Sequence, residues 1–276
     1  MSVPPLVVCA AAALLYALGG RGRVGARGPR RLREASFYLG IVVLGVALEP
    51  PFDEWADTSF ALHMAQHVLL LTVVPPLVVL GRPWPRMWLP FPAGARRSAL
   101  QGLARGGWSA PLRLAGRVLT RPPVAVAALA ATLAVWHVPA LYAAAVDSEW
   151  VHFLEHACFL AASLLLWAPL LDAPPVRARI DNLRRAGWFV AAAVPGWILA
   201  IVLAYASKPI YPVYADLPHR AFGLSAGGDQ AVAAGVMWVP GSLAYLVAFI
   251  VFVYRWLEPE APSPRPGSRP EELSWT

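Results

Sequence analysis

Residues 151–170 read VHFLEHACFLAASLLLWAPL, and the fold turns on how this stretch is understood. As a helix it is about 30 Å long, enough to cross the hydrocarbon core of a bilayer. Only its first turns depart from an apolar composition, with His152, Glu155 and His156 inside five residues. At helical spacing the two histidines stand one above the other on a single face, with Glu155 beside them. Ionisable groups inside a membrane segment are costly, so they are read as functional by default.

Outward from this stretch, six further apolar runs occur at residues 3–19, 35–48, 60–80, 124–138, 188–206 and 231–256. The chain of 276 residues is 58% hydrophobic and 14% charged, against roughly a quarter charged in soluble domains. These features predict an all-α polytopic membrane protein, a bundle of seven transmembrane helices, and exclude a soluble enzyme. The first run has no basic residues ahead of it and no small-residue cleavage site, so a retained helix is expected. Residues 1–257 are expected to form one transmembrane domain. Residues 258–276, polar and proline-rich, are expected to be a disordered cytoplasmic tail. Cys9 and Cys158 lie in separate apolar runs, which excludes a disulfide scaffold and a thiolate zinc module.

The net charge of +7 is not distributed as a nucleic-acid surface would be, and no nucleic-acid partner is expected. Of 23 basic residues, all but Lys208 and Arg220 fall in alternate connections or in the tail. The positive-inside rule then places the N-terminus outside and the C-terminus in the cytoplasm, with anionic lipids at the arginine-rich face. The longest connection, residues 81–121, carries eight arginines, no acid, and Trp84, Trp88 and Trp108. Partial burial at the headgroup level and a plain solvated loop are both open for it. Pro75-Pro76 predicts a kink near the end of one span, and Pro195-Gly196 a bend in another.

This topology sorts the histidines. His63 and His67 head the run at 60–80, His137 closes the run at 124–138, and His152 and His156 head the run at 151–170. All five fall at the predicted outer ends of three helices. His219 stands alone in a loop and reads as a surface histidine. Neutral imidazole is the commonest metal ligand, and histidines four apart on a helix present two nitrogens to one ion. The bland alternative is that interfacial histidines merely hydrogen-bond to loops. Glu155, Asp229, Gln230 and Met237 lie at similar depth, as further ligands or as partners that orient the imidazoles. Thioether with imidazole suits copper(I), whereas imidazole with carboxylate suits zinc or copper(II). Met64, Met237, Cys9 and Cys158 also read as ordinary packing residues. His152-x-x-Glu155-His156 matches the inverted zincin pattern, in which the glutamate is a general base. A hydrolase would also need an open metal position and an oxyanion stabiliser, and Ser225 is a weak nucleophile candidate.

Several blocks, in order, carry a resemblance. They are His63-Met64-x-Gln66-His67 with Pro75-Pro76 and Gly81-x-Pro83, then Trp136-His137-x-Pro139-x-Leu141-Tyr142, then His152-x-x-Glu155-His156. Asp229-Gln230 follows, with Gly235-x-Met237-Trp238-x-Pro240-Gly241. Together they resemble the multi-span CtaG family of cytochrome c oxidase assembly factors. That resemblance implies a multi-pass protein of the bacterial plasma membrane that matures a haem–copper oxidase and meets its subunits. It implies copper as the ion handled, and an assembly factor or metallochaperone rather than an enzyme. Copper held by His63, His67, His137, His152 and His156 is the leading expectation. A zinc-dependent integral membrane hydrolase using the same histidines is the alternative. A haem-binding redox protein and a metal-free scaffold for oxidase subunits stand behind them.

Overall fold

A computed structural model of the chain describes residues 5–20, 27–176 and 180–258, and all regular structure among the described residues is helical. The first apolar run forms α1 (Pro5–Leu18), and the second lies in α2 (Arg27–Leu48), whose first turns carry the arginines. A short α3 (Phe52–Ala56) leads to α4 (Phe60–Val68). A π-helical segment, Leu69–Val73, joins α4 to α5 (Val74–Leu80), so that Phe60–Leu80 is one apolar span of 21 residues. Just ahead of the prolines where a kink is expected, the helix widens by this π-helical turn. Pro75 and Pro76 donate no backbone hydrogen bond, and the ladder loosens just ahead of them. The Thr72 hydroxyl donates to the Val68 carbonyl there at 2.9 Å.

The connection 81–121 is not an irregular loop. It folds into α6 (Pro83–Met87), α7 (Ala93–Arg105) and α8 (Ala110–Leu119). Its alanines, leucines and arginines are strong helix formers, and prolines stand in the first turns of α6 and α8 where no N–H is missed. Next come α9 (Pro122–Trp136), α10 (Pro139–Asp147) and α11 (Glu149–Leu170). The chain ends with α12 (Asn182–Tyr205), α13 (Pro212–Ala215), a 3-10 turn at Ala221–Gly223, and α14 (Ala226–Leu257). Pro195 is accommodated inside α12, which runs on as one helix.

Among the described residues, four helical stretches are long and apolar enough to cross a membrane: Phe60–Leu80, Glu149–Leu170, Asn182–Tyr205 and Ala226–Leu257. A fifth is added if α8 and α9, which meet at 83°, form one broken span. The expectation of seven is met only to that extent. The 14 residues of α1 reach about 21 Å, short of a hydrocarbon core of about 30 Å, and α2 dilutes its apolar part with charge. Of the tail expected at 258–276, all but Glu258 lies outside the described residues.

Two apolar cores hold the bundle. The larger gathers Leu129, Phe159, Leu166, Trp167, Phe189, Tyr245 and Phe252 from α9, α11, α12 and α14. The smaller, with Phe60, Met64, Tyr142, Leu203, Tyr211, Tyr214 and Met237, lies beside the histidines. On the flank α2 approaches α5 closely because Gly40 and Gly81 have no side chain. A Cβ on Gly40 would come within 2.9 Å of a Val78 methyl, and one on Gly81 within 2.5 Å of the Phe37 Cβ.

Candidate metal centre

α4 is fixed at its start before its histidines can be placed. The Ser59 hydroxyl caps it, accepting from the Leu62 N–H. The carboxylate of Asp229, reaching across from α14, accepts from the Ser59 hydroxyl at 2.7 Å and from the N–H groups of Phe60 (2.8 Å) and Ala61 (3.0 Å). A carboxylate there complements the positive end of the helix and satisfies donors that have no partner within it. Gln66, one turn on, donates to the Ala47 carbonyl at 2.6 Å and to Asp53 at 2.7 Å. Thus α4 is held at both the start and the middle, and His63 and His67 project from its remaining face.

His63 and His67 of α4 meet Glu155 and His156 of α11. One ligand atom from each of these four buried residues lies within 4.8 Å of all the others. The His63 and His67 rings are 4.4 Å apart, edge to face. The nearer Glu155 oxygen is 3.7 Å from His67 Nε2 and 3.9 Å from His63 Nε2, too far for hydrogen bonds. Two ligands of one tetrahedral ion stand roughly 3.3–3.5 Å apart, given bonds near 2.0–2.2 Å. A slight contraction of the observed group would therefore seat an ion.

The other two predicted histidines flank this group. The His152 ring lies 4.1 Å from that of His156 and 5.2 Å from that of His63, and is half-buried. His137 follows the last turn of α9, its ring 6.1 Å from that of His67. All five imidazoles are thus contiguous. His219 is exposed, in the segment after α13.

The tautomers of two of them follow from their neighbours. The Tyr214 hydroxyl donates its only proton to the Ala56 carbonyl at 3.0 Å, so at His63 Nδ1, 2.9 Å away, it accepts. Burial holds this hydroxyl well above the ordinary tyrosine range, which keeps it protonated. His63 therefore carries its proton on Nδ1 and presents a bare Nε2. His137 Nδ1 likewise donates to the Leu133 carbonyl at 2.8 Å and frees its Nε2. Nε2 of His63, His67, His137, His152 and His156 and both oxygens of Glu155 are buried without a hydrogen-bond partner. Buried polar atoms are nearly always paired, so this concentration of unpaired ones is unusual, and four of the six residues concerned, His63, His67, Glu155 and His156, bring ligand atoms within 4.8 Å of one another.

The remaining candidates are engaged elsewhere. Asp229 is spent on α4, and it orients the two histidines through that helix. Gln230 accepts from the Ile210 N–H at 2.7 Å and donates to the Leu203 carbonyl at 2.9 Å, tying the end of α12 to the segment that carries Tyr211 and Tyr214. Met237 and Met64 belong to the smaller apolar core. Ser225 caps α14, its hydroxyl accepting from the Gly228 N–H. The donors gathered from His63, His67, Glu155 and His156 are nitrogen and carboxylate oxygen, which suit zinc or copper. Sequence reasoning missed Tyr214 and Ser59, and also Tyr211, whose hydroxyl donates to the His137 carbonyl at 3.0 Å. Nothing in their local sequence marks them, since each acts on a helix far away along the chain.

Residues 1–258 match the family model described as cytochrome c oxidase caa3 assembly factor (Caa3_CtaG). No curated protein and no solved structure matches the chain.

Proposed function

The chain belongs to the cytochrome c oxidase caa3 assembly factor family, and from that premise we propose that it binds a copper ion in the histidine–carboxylate group and hands it to a subunit of the oxidase. The observation that carries this reading is the close group of His63, His67, His156 and the buried carboxylate of Glu155, whose Nε2 atoms and oxygens have no hydrogen-bond partner. In a low-dielectric site a lone carboxylate is costly, and a cation beside it offsets the cost. One carboxylate with neutral imidazoles leaves a copper(I) site uncharged overall and a copper(II) site with a single positive charge. Such a site holds the ion without demanding that a large charge be buried.

Here copper is cargo, so the site must also release it. In this reading His63, His67, His156 and Glu155 hold the ion, and His137 stands ready as a further ligand from α9. His152, half-buried and next to both His63 and His156, is the imidazole an arriving ion meets first and a departing ion leaves last. Asp53 and Asp57 lie near enough for their charges to act on His63 and His152, and they raise the local concentration of cations. Transfer then proceeds by ligand exchange, one imidazole at a time, without a change of oxidation state. The seven-span topology, with the histidines outside and the arginines in the cytoplasm of a bacterial plasma membrane, is part of the proposal. It brings the ion to the side on which oxidase subunits would collect it.

Copper and zinc content of the purified chain, loaded with each metal, is the direct test. Wild type is expected to retain copper, and His63→Ala/His67→Ala to retain less than a tenth as much. Equal retention in both would remove the site. A second reading rests on the imidazole and carboxylate donors, which suit zinc equally well. It makes the chain a zinc-dependent membrane hydrolase with Glu155 as base. Hydrolysis of a lipid or peptide by the zinc-loaded protein, abolished in Glu155→Gln, would favour it over copper delivery.

A further inference from the structure

At the end of the bundle opposite the histidines, a lateral cavity of about 810 Å³ opens between α2 and α14. One wall is the start of α2, with Pro29, Leu32 and Ser36, and the other is α14, with Leu243, Val247 and Val251. Its floor is made by Val79 of α5, Trp167 of α11 and Phe252 of α14, all buried. The cavity lies among helices long and apolar enough to cross a membrane, and such a gap on a lipid-facing flank is filled by hydrocarbon. Its volume falls in the range of about 300–1,000 Å³ typical of small-molecule sites.

The polar end of this cavity is not neutral. Arg33, Arg82 and Arg255 line it, and no acid does. None of the three has a carboxylate partner among the described residues, whereas nearby Arg30, Arg86 and Arg185 are paired with Glu34 or Asp172. The Arg255 guanidinium leans over the Phe252 ring, 5.5 Å from its centre, which brings its charge over the cavity floor. An apolar trough ending in three guanidiniums that have no carboxylate partner among the described residues complements an amphiphile with two acyl chains and an anionic head. Guanidinium binds phosphate oxygens in pairs, more selectively than a point charge does. A haem would also pair propionates with arginine, but no histidine, methionine, cysteine or tyrosine lines the cavity to ligate iron.

We propose that this groove is a binding site for one anionic phospholipid, its phosphate held by Arg33, Arg82 and Arg255 and its chains lying along Val79, Trp167 and Val247. The lipid would bridge α2 to α14 and complete the arginine-rich end of the bundle. This site is independent of the metal reading, and its test does not involve the ion.

The test is retention of lipid by the full chain in detergent, measured by native mass spectrometry after exposure to phosphatidylglycerol or phosphatidylcholine. Wild type is expected to keep one phosphatidylglycerol with about a tenfold preference over phosphatidylcholine. Arg33→Gln/Arg82→Gln/Arg255→Gln should lose that preference, with Arg255→Gln alone giving a partial loss should the triple variant not fold. Val247→Trp, which fills the trough, should keep neither lipid while melting as wild type does. Inorganic phosphate should not displace the bound lipid. Equal retention of the two lipids by wild type, or an unchanged preference in both arginine variants, would overturn the proposal. So would displacement by inorganic phosphate, or retention seen only after removal of residues 259–276, which would make the chain's own end the occupant.

Discussion

Both oxygens of Glu155 are buried without a hydrogen-bond partner between imidazoles from two helices, an arrangement that is costly unless a cation is added. Two opposite effects are therefore expected of Glu155→Gln. The metal-free protein should melt at or above the wild-type temperature, because an amide that can donate to an imidazole Nε2 replaces a carboxyl group buried without a partner. The rise in melting temperature on adding copper should shrink sharply. Thermal unfolding with and without the ion checks both, and an undiminished rise would exclude Glu155 as a ligand. Tyr214 acts one step away by keeping the His63 proton on Nδ1. Tyr214→Phe is expected to weaken metal affinity about 10–100-fold, read by competition with a chelator of known strength. His152 should behave differently from the other ligands. His152→Ala is expected to keep the ion but to slow its release to a chelator by roughly tenfold or more, if approach through the half-buried imidazole limits exchange. Stopped-flow release at wild-type speed would remove that role. The pairing of these histidines was legible from their spacing. The roles of Tyr214 and Ser59 were not, because 151 residues separate Tyr214 from His63 and 170 separate Ser59 from Asp229.

At the scale of the element, α4 is the piece whose placement the site depends on. Its first turn is pinned by a carboxylate that belongs to α14. In sequence Asp229 reads as a further ligand or as a partner that orients the imidazoles. Its two oxygens accept from three donors at the start of α4, which is an orienting role, and ligation would compete for the same oxygens. Asp229→Ala should cost about 1–3 kcal/mol, because it leaves buried donors unpaired. It should also lower metal affinity, since the α4 histidines would lose their anchor. Denaturant unfolding measured beside metal competition separates the two effects, and a stable protein of unchanged affinity would count against the anchoring role. The connection 81–121 carries the other lesson at this scale. Its arginines signalled a side of the membrane, but its alanines and leucines made helices. Charge decides where a segment lies and propensity decides its local shape, and the two were read separately.

For the whole molecule, the asymmetry between a histidine end and an arginine end organises everything else. Reporter fusions placed ahead of α1, after Gly107 and after Glu258 check the topology. An enzyme active only outside is expected to report before α1 and not after Glu258, and the reverse pattern would invert the bundle and move the metal group to the cytoplasm. Composition and the spacing of apolar runs were enough for an all-helical membrane protein, because lipid admits few other ways of pairing the backbone. They were enough for the histidine pairs as well, because helical periodicity puts residues four apart on one face. The number of spans was less legible. Apolarity alone does not separate a full crossing from a short helix such as α1, or from a bent pair such as α8 and α9. Only the tertiary structure decided that three helices bring five imidazoles and one carboxylate together, and that Asp229 and Gln230 serve the scaffold. Those assignments depend on which side chain meets which backbone group across long loops, and no local pattern in the chain encodes that meeting.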